Sequence, residues 1–266
     1  MSHPPLPHRS HCPKCGRALG AAAAAAECPH CGVVFAKYVQ HLADRAADRR
    51  PATSRRTDPA GTDDGEDWPA RLRALLLPEP QAADPAGLAG EAALLAALAI
   101  WGIWFAGCDW RDGEAGTSFL HNADLAFHEF GHLLFRPFGE WLMYLGGSLF
   151  QCLVPLLLGA VFLLRERKPF GGAVCLWWFG QNLVDVAPYV GDARALALPL
   201  IGEWNEEMVE VRPLRHDWHN ILDAVGLLNW DARLAALAHW GGVLAMLAAI
   251  GWGGTLLWRS WQASRR

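Results

Sequence analysis

The sequence predicts an all-α polytopic membrane protein of about four spanning helices plus a short re-entrant helix, with a small zinc ribbon at its N-terminus. Three observations lead there. Of the 266 residues 52% are hydrophobic and only 19% charged, and the apolar ones gather into runs of bilayer length. Clusters of Arg and Lys flank those runs as topological signals. Two Cys-x-x-C pairs stand ahead of the first run.

Taken in order, Cys12-Pro-Lys-Cys15-Gly16 and Cys28-Pro-His-Cys31-Gly32 are two tight knuckles at the spacing of a four-cysteine zinc ribbon. A glycine after each second cysteine lets the turn close, and so short a segment depends on the metal to fold. The ribbon is assigned to residues 1–42. Thiolates kept free for zinc indicate a reducing compartment, which places the N-terminus in the cytoplasm. The other cysteines, Cys108, Cys152 and Cys175, are scattered, and the odd total of seven does not describe a disulfide framework. The first residues, rich in Pro and His without an apolar core, do not read as a secretory signal.

Residues 43–87 shift to Arg, Asp, Pro, Ala, Gly and Thr, with Arg49, Arg50, Arg55 and Arg56 followed by Asp63, Asp64, Glu66 and Asp67. This composition predicts a disordered tether, with a short surface helix over 72–77. The membrane domain is assigned to residues 88–266, with spans at 88–107, 141–164, 170–191 and 235–258. Placing Arg71 and Arg73, Arg165 to Lys168, and Arg259, Arg265 and Arg266 on the cytoplasmic side requires an even number of crossings between them. The segment over 122–138 therefore dips in without crossing. A net charge of −4 with no basic stripe argues against a nucleic-acid partner.

That dipping segment holds His128-Glu129-Phe-Gly-His132, an H-E-x-x-H match. On a helix the two histidines lie one turn apart on one face and reach a single metal, and Glu129 stands beside them as a general base. A catalytic zinc needs a third protein ligand and an open position. The candidates are Asp192 at the outer end of the third span, and His216 or His219 in the polar loop after it. Asp185, deeper in that span, is a candidate for orienting a ligand histidine.

A short H-E-x-x-H helix at a membrane, the Gly146-Gly147 turn, and a later Asn182 with Pro188 and Asp192 resemble the site-2 protease class of intramembrane zinc metalloproteases, the M50 family. The resemblance covers roughly residues 124–194. It implies that His128 and His132 bind zinc, that Glu129 activates water, that Asp192 is the third ligand and that Asn182 orients substrate. A peptidase of this class acts on a membrane protein or peptide, here in a bacterial inner membrane, with one zinc in the ribbon and one at the histidines. The alternative is a non-enzymatic metal-binding sensor or assembly factor whose ribbon grips a cytoplasmic protein.

Overall fold

The computed structural model describes residues 10–20, 25–39, 67–80, 82–201, 203 and 206–265. The chain divides into two compact units, Met1–Asp64 and Gly65–Arg266. Most of the expected tether, 43–66, lies outside the described residues.

In the first unit each knuckle repeats one design. Gly16 and Gly32 adopt φ of +69° and +68°, a conformation that favours glycine, and each amide donates to the carbonyl of the first cysteine of its pair at 2.9 Å. Isolated antiparallel bridges, His11 with Ala18 and Glu27 with Val34, close the two turns. Leu19 and Phe35 are buried beside Cys12 and Cys28 and form the small core of the unit.

The described residues of the second unit are all-helical. Its principal helices are α1 (Trp68–Leu76), α2 (Pro85–Gly107), α3 (Phe119–Phe135), α4 (Glu140–Ala160), α5 (Pro169–Gly191), α6 (Asp217–Ala224) and α7 (Asp231–Ser264). Starts follow capping rules: Asp67, Asp84 and Ser118 accept amide hydrogen bonds from Ala70, Gly87 and Leu120. The surface helix expected over 72–77 is α1, which begins earlier.

Among the described residues three helices are long and apolar enough to cross a membrane: Pro85–Gly107, Glu140–Arg165 and Leu228–Ser264. Ile100, Ile103, Leu157, Leu237, Leu244 and Leu247 are well exposed on them, a pattern that suits lipid rather than water. The expected span over 170–191 is a helix, α5, but not one of these three. Thirteen of its 23 residues are buried, including Gln181, Asn182 and Asp185, because α5 is the central helix and directs a polar stripe inward. Its other side packs on α7, where Gly180 and Gly242 bring the two backbones together.

The basic clusters share one end of the bundle. Trp252 and Arg259 on α7 donate to the carbonyls of Leu76 and Leu77, while Gly172 lies against Leu163 and Trp252. At the other end Gly191 packs on Trp110. Between them α3, seventeen residues long, runs antiparallel to the first half of α4, to which it is joined by a single 3-10 turn and Gly139.

The α3–α4 contact is made backbone to backbone. A Cβ on Gly131 would run into the Gly146 carbonyl, and one on Gly146 would come within 2.7 Å of Phe135 Cβ and 2.8 Å of the Gly131 carbonyl. Gly131→Ala should therefore destabilise the membrane domain by about 1–3 kcal/mol, the usual cost of overpacking, read as a lower melting temperature in detergent. An unchanged melting temperature would mean that the two helices are not in this contact.

Candidate metal centre

Among the described residues, two groups of side chains each converge on a volume the size of one ion. In the ribbon, Cys12, Cys15, Cys28 and Cys31 face one another. The Sγ atoms of Cys12 and Cys31 are 3.8 Å apart, and those of Cys15 and Cys28 are 3.9 Å apart. A tetrahedral thiolate site with bonds of about 2.3 Å requires edges of about 3.8 Å, so the cluster already has the dimensions of a metal site. Its electrostatics agree. Burial works to raise the Cys12 thiol, but hydrogen bonds from the Cys15 and Lys14 amides and neighbouring thiols outweigh it and hold it down at about 6. At Cys31 a hydrogen bond from the Val33 amide is overridden by burial and the other three sulfurs, and the thiol is pushed up to about 12. Four thiolates this close need a cation to coexist.

The second group is His128, His132 and Asp217. Both histidine Nε2 atoms lie 3.2 Å from Asp217 Oδ2. Bonds of about 2.0–2.1 Å in a tetrahedron give edges of about 3.3 Å, again a match. The tautomers are settled by what the other ring nitrogens touch. His128 Nδ1 donates to Gln151 Oε1 at 2.8 Å, and His132 Nδ1 donates to the Met143 carbonyl at 2.8 Å. Both partners are acceptors, so each ring keeps its proton on Nδ1 and turns the Nε2 lone pair inward. Gly147 makes room for this, since a Cβ there would sit 2.5 Å from His128 Nε2 and 2.6 Å from His132 Nε2.

Asp217 is the first residue of α6, a helix whose N-cap is His216. Tyr189 of α5 holds it twice, donating its hydroxyl to Asp217 Oδ2 at 3.1 Å and accepting from the Asp217 amide at 2.9 Å. Trp218 fixes α6 to α4 by donating to Ser148 Oγ. Burial works against the Asp217 charge, yet the imidazoles of His128 and His132, which donate from Nε2 when doubly protonated, outweigh it and keep its carboxyl below the usual range.

The expected residues divide into those gathered here and those placed elsewhere. His128 and His132 converge. Glu129 lines the same cavity, of about 500 Å³, together with His121, Leu125, Val186, Tyr189 and Arg215. Asp185, expected as an orienting group, reaches the histidine pair only through a relay: Gln151 Nε2 donates to its Oδ2 at 3.3 Å and His121 Nδ1 donates to both its oxygens.

Asp192, expected as the third ligand, is not brought to the histidine pair. Its two oxygens accept from the amides of Ala197 and Leu198 and so close the turn that follows α5. His216 is fully buried and spends its Nδ1 capping α6 through the His219 amide, with Nε2 turned to Asp192 at 3.4 Å. His219 donates to the Ala193 carbonyl. Asn182, expected to orient substrate, is buried with its amide on the Trp178 carbonyl and does not line the cavity. The carboxylate that sequence reading passed over stood between the two histidines it weighed, in His216-Asp217-Trp218-His219. No local signal marked it, since what brings Asp217 to α3 is the course of the connection between α5 and α6.

No family model matches the chain, and neither a curated protein nor a solved structure matches it significantly. The reading of the centre rests on its geometry alone.

Two outcomes follow for metal content. Asp217→Ala should remove one of the two metals per chain from purified protein while Asp192→Ala retains both; the reverse pattern would restore Asp192 as the ligand. Gln151→Leu, which frees the His128 ring, should weaken binding at the histidine centre by roughly 10–100-fold in a chelator competition and leave the ribbon unaffected.

Proposed function

We propose that this protein is a zinc-dependent peptidase of the membrane, M50-like in chemistry, that cleaves a membrane-associated protein or peptide. The observation that carries the reading is the meeting of two lone-pair-bearing imidazoles and a carboxylate at the wall of a cavity that Glu129 also lines. Two nitrogens and one oxygen are the ligand set of a catalytic zinc with a position left open. The four thiolates suit a structural zinc, closed to solvent chemistry.

Zinc held by His128, His132 and Asp217 would supply the Lewis acidity that polarises a peptide carbonyl and acidifies water. Glu129 takes the proton from the attacking water and delivers it to the leaving amine. Tyr189 keeps Asp217 aimed between the histidines, and Gln151 and the Met143 carbonyl keep both rings from turning. Leu125, Val186, Leu198 and Ile201 give the cavity an apolar wall suited to an extended hydrophobic segment. A volume of about 500 Å³ is of the size of a ligand pocket and admits a few residues of chain.

In this reading the domain crosses a bacterial inner membrane four times, α5 included, with α3 re-entrant and the ribbon on the cytoplasmic side, free to engage a protein there. The gathering of Arg71, Arg165 and Arg259 at one end of the bundle supports it. The cavity then opens on the opposite face, and the backbone of the re-entrant turn is tolerated at depth because protein and a wet cavity cover it.

Glu129→Gln should keep both metals and lower peptide-bond cleavage in detergent by roughly two to four orders of magnitude, measured on one preparation. Full activity in that variant would end the peptidase reading. For orientation, single cysteines at Thr117 and Glu207, in a background lacking Cys108, Cys152 and Cys175, should react with an impermeant thiol reagent added outside intact cells, whereas one at Glu166 should not. Labelling at Glu166 would place the cavity on the cytoplasmic face.

A further inference from the structure

The two ligand histidines are held in different ways, and the difference points to a residue outside the centre. His132 Nδ1 faces the Met143 carbonyl, which is an acceptor by its covalent structure. His128 Nδ1 instead faces the side-chain amide of Gln151, whose two ends have nearly the same shape and opposite hydrogen-bonding sense. With Oε1 forward, Gln151 accepts from Nδ1–H and leaves the Nε2 lone pair for a metal. Turned over, its NH2 would donate to Nδ1, put the ring proton on Nε2 and close that nitrogen to a metal. Nothing in His128 or Gln151 alone separates the two arrangements.

Gln151 is only 3% exposed, so its far end must also find a partner inside the protein. That partner is Asp185 of α5, whose Oδ2 lies 3.3 Å from Gln151 Nε2. An ionised carboxylate only accepts, so it pairs with the NH2 end of the amide and repels the oxygen end. Asp185 is anchored in turn by His121, whose Nδ1 stands 3.0 Å from Oδ1 and 3.1 Å from Oδ2. Every hydrogen bond in the chain thus donates toward Asp185, from His128 to Gln151, from Gln151 to Asp185, and from His121 to Asp185.

We propose that Asp185 is a positioning residue of the histidine centre, whose charge fixes the orientation of the Gln151 amide and through it the metal-binding tautomer of His128. The inference rests on the metal centre of the peptidase reading, but not on Glu129 or on cleavage. The competing role is structural, in which the chain merely ties α3, α4 and α5 together. The two roles differ at position 151. A glutamate there presents an acceptor at both ends, so it has no orientation for Asp185 to fix.

The test is a double-mutant cycle on the full-length protein in detergent, read as zinc affinity of the histidine centre in a chelator competition, with the ribbon zinc as internal reference. In the wild-type background Asp185→Asn should weaken zinc binding roughly tenfold or more, as loss of a group behind a ligand histidine does. In the Gln151→Glu background the same substitution should change affinity by less than about threefold, because the two sites no longer act through an amide. Should the Asn variant not fold, Asp185→Ser, also neutral and smaller, takes its place in both backgrounds. Equal losses in both backgrounds would overturn the proposal in favour of the structural role, and no loss in the wild-type background would overturn it outright. Wild-type protein that retains only the ribbon zinc would overturn the histidine centre itself and this inference with it, a result read before any substitution is made.

Discussion

The centre depends on how closely α3 and α4 approach. Gly131, Gly146 and Gly147 leave no side chain between the two helices, so the backbones touch and the imidazoles of His128 and His132 slide over the space where a Gly147 Cβ would be. In a bilayer, where lipid competes for every apolar surface, close packing of small residues is what holds helices together. The same contact puts the Met143 carbonyl and Gln151 of α4 behind the two rings. Packing and ligand orientation are thus one event, and a methyl group at the crossing disturbs both.

The third member arrives from a different direction. Asp217 belongs to a helix that begins only after the long connection leaving α5, and it is held by the Tyr189 hydroxyl rather than by packing. Asp192 and His216 complete that anchoring. One closes the turn after α5, the other caps α6, and their facing atoms lie 3.4 Å apart. They build the platform for the carboxylate next to them instead of joining the site.

Much of this was legible in the chain because the informative patterns were local. The knuckles and their glycines, the H-E-x-x-H helix and the apolar runs all act within about twenty residues, the reach of a helix or a turn. The third carboxylate was not legible, because it depends on where a loop of about twenty-five residues brings α6 back to the bundle. Resemblance to a family motif pointed to Asp192, a residue with the right type at the end of the right helix. Hydrogen bonds from Ala197 and Leu198 had already engaged it. By hydropathy α5 is not among the helices apolar enough to cross, although its polar residues Gln181, Asn182 and Asp185 are buried rather than turned outward.

His128, His132 and Asp217 meet closely enough to hold one metal together. Diffraction from crystals of the purified protein, recorded on both sides of the zinc absorption edge, tests it most directly. Two anomalous peaks per chain are expected, one among Cys12, Cys15, Cys28 and Cys31 and one within about 2.1 Å of His128 Nε2, His132 Nε2 and a carboxylate oxygen of Asp217. A peak at the ribbon alone, or a second peak bound by Asp192 instead of Asp217, would contradict it.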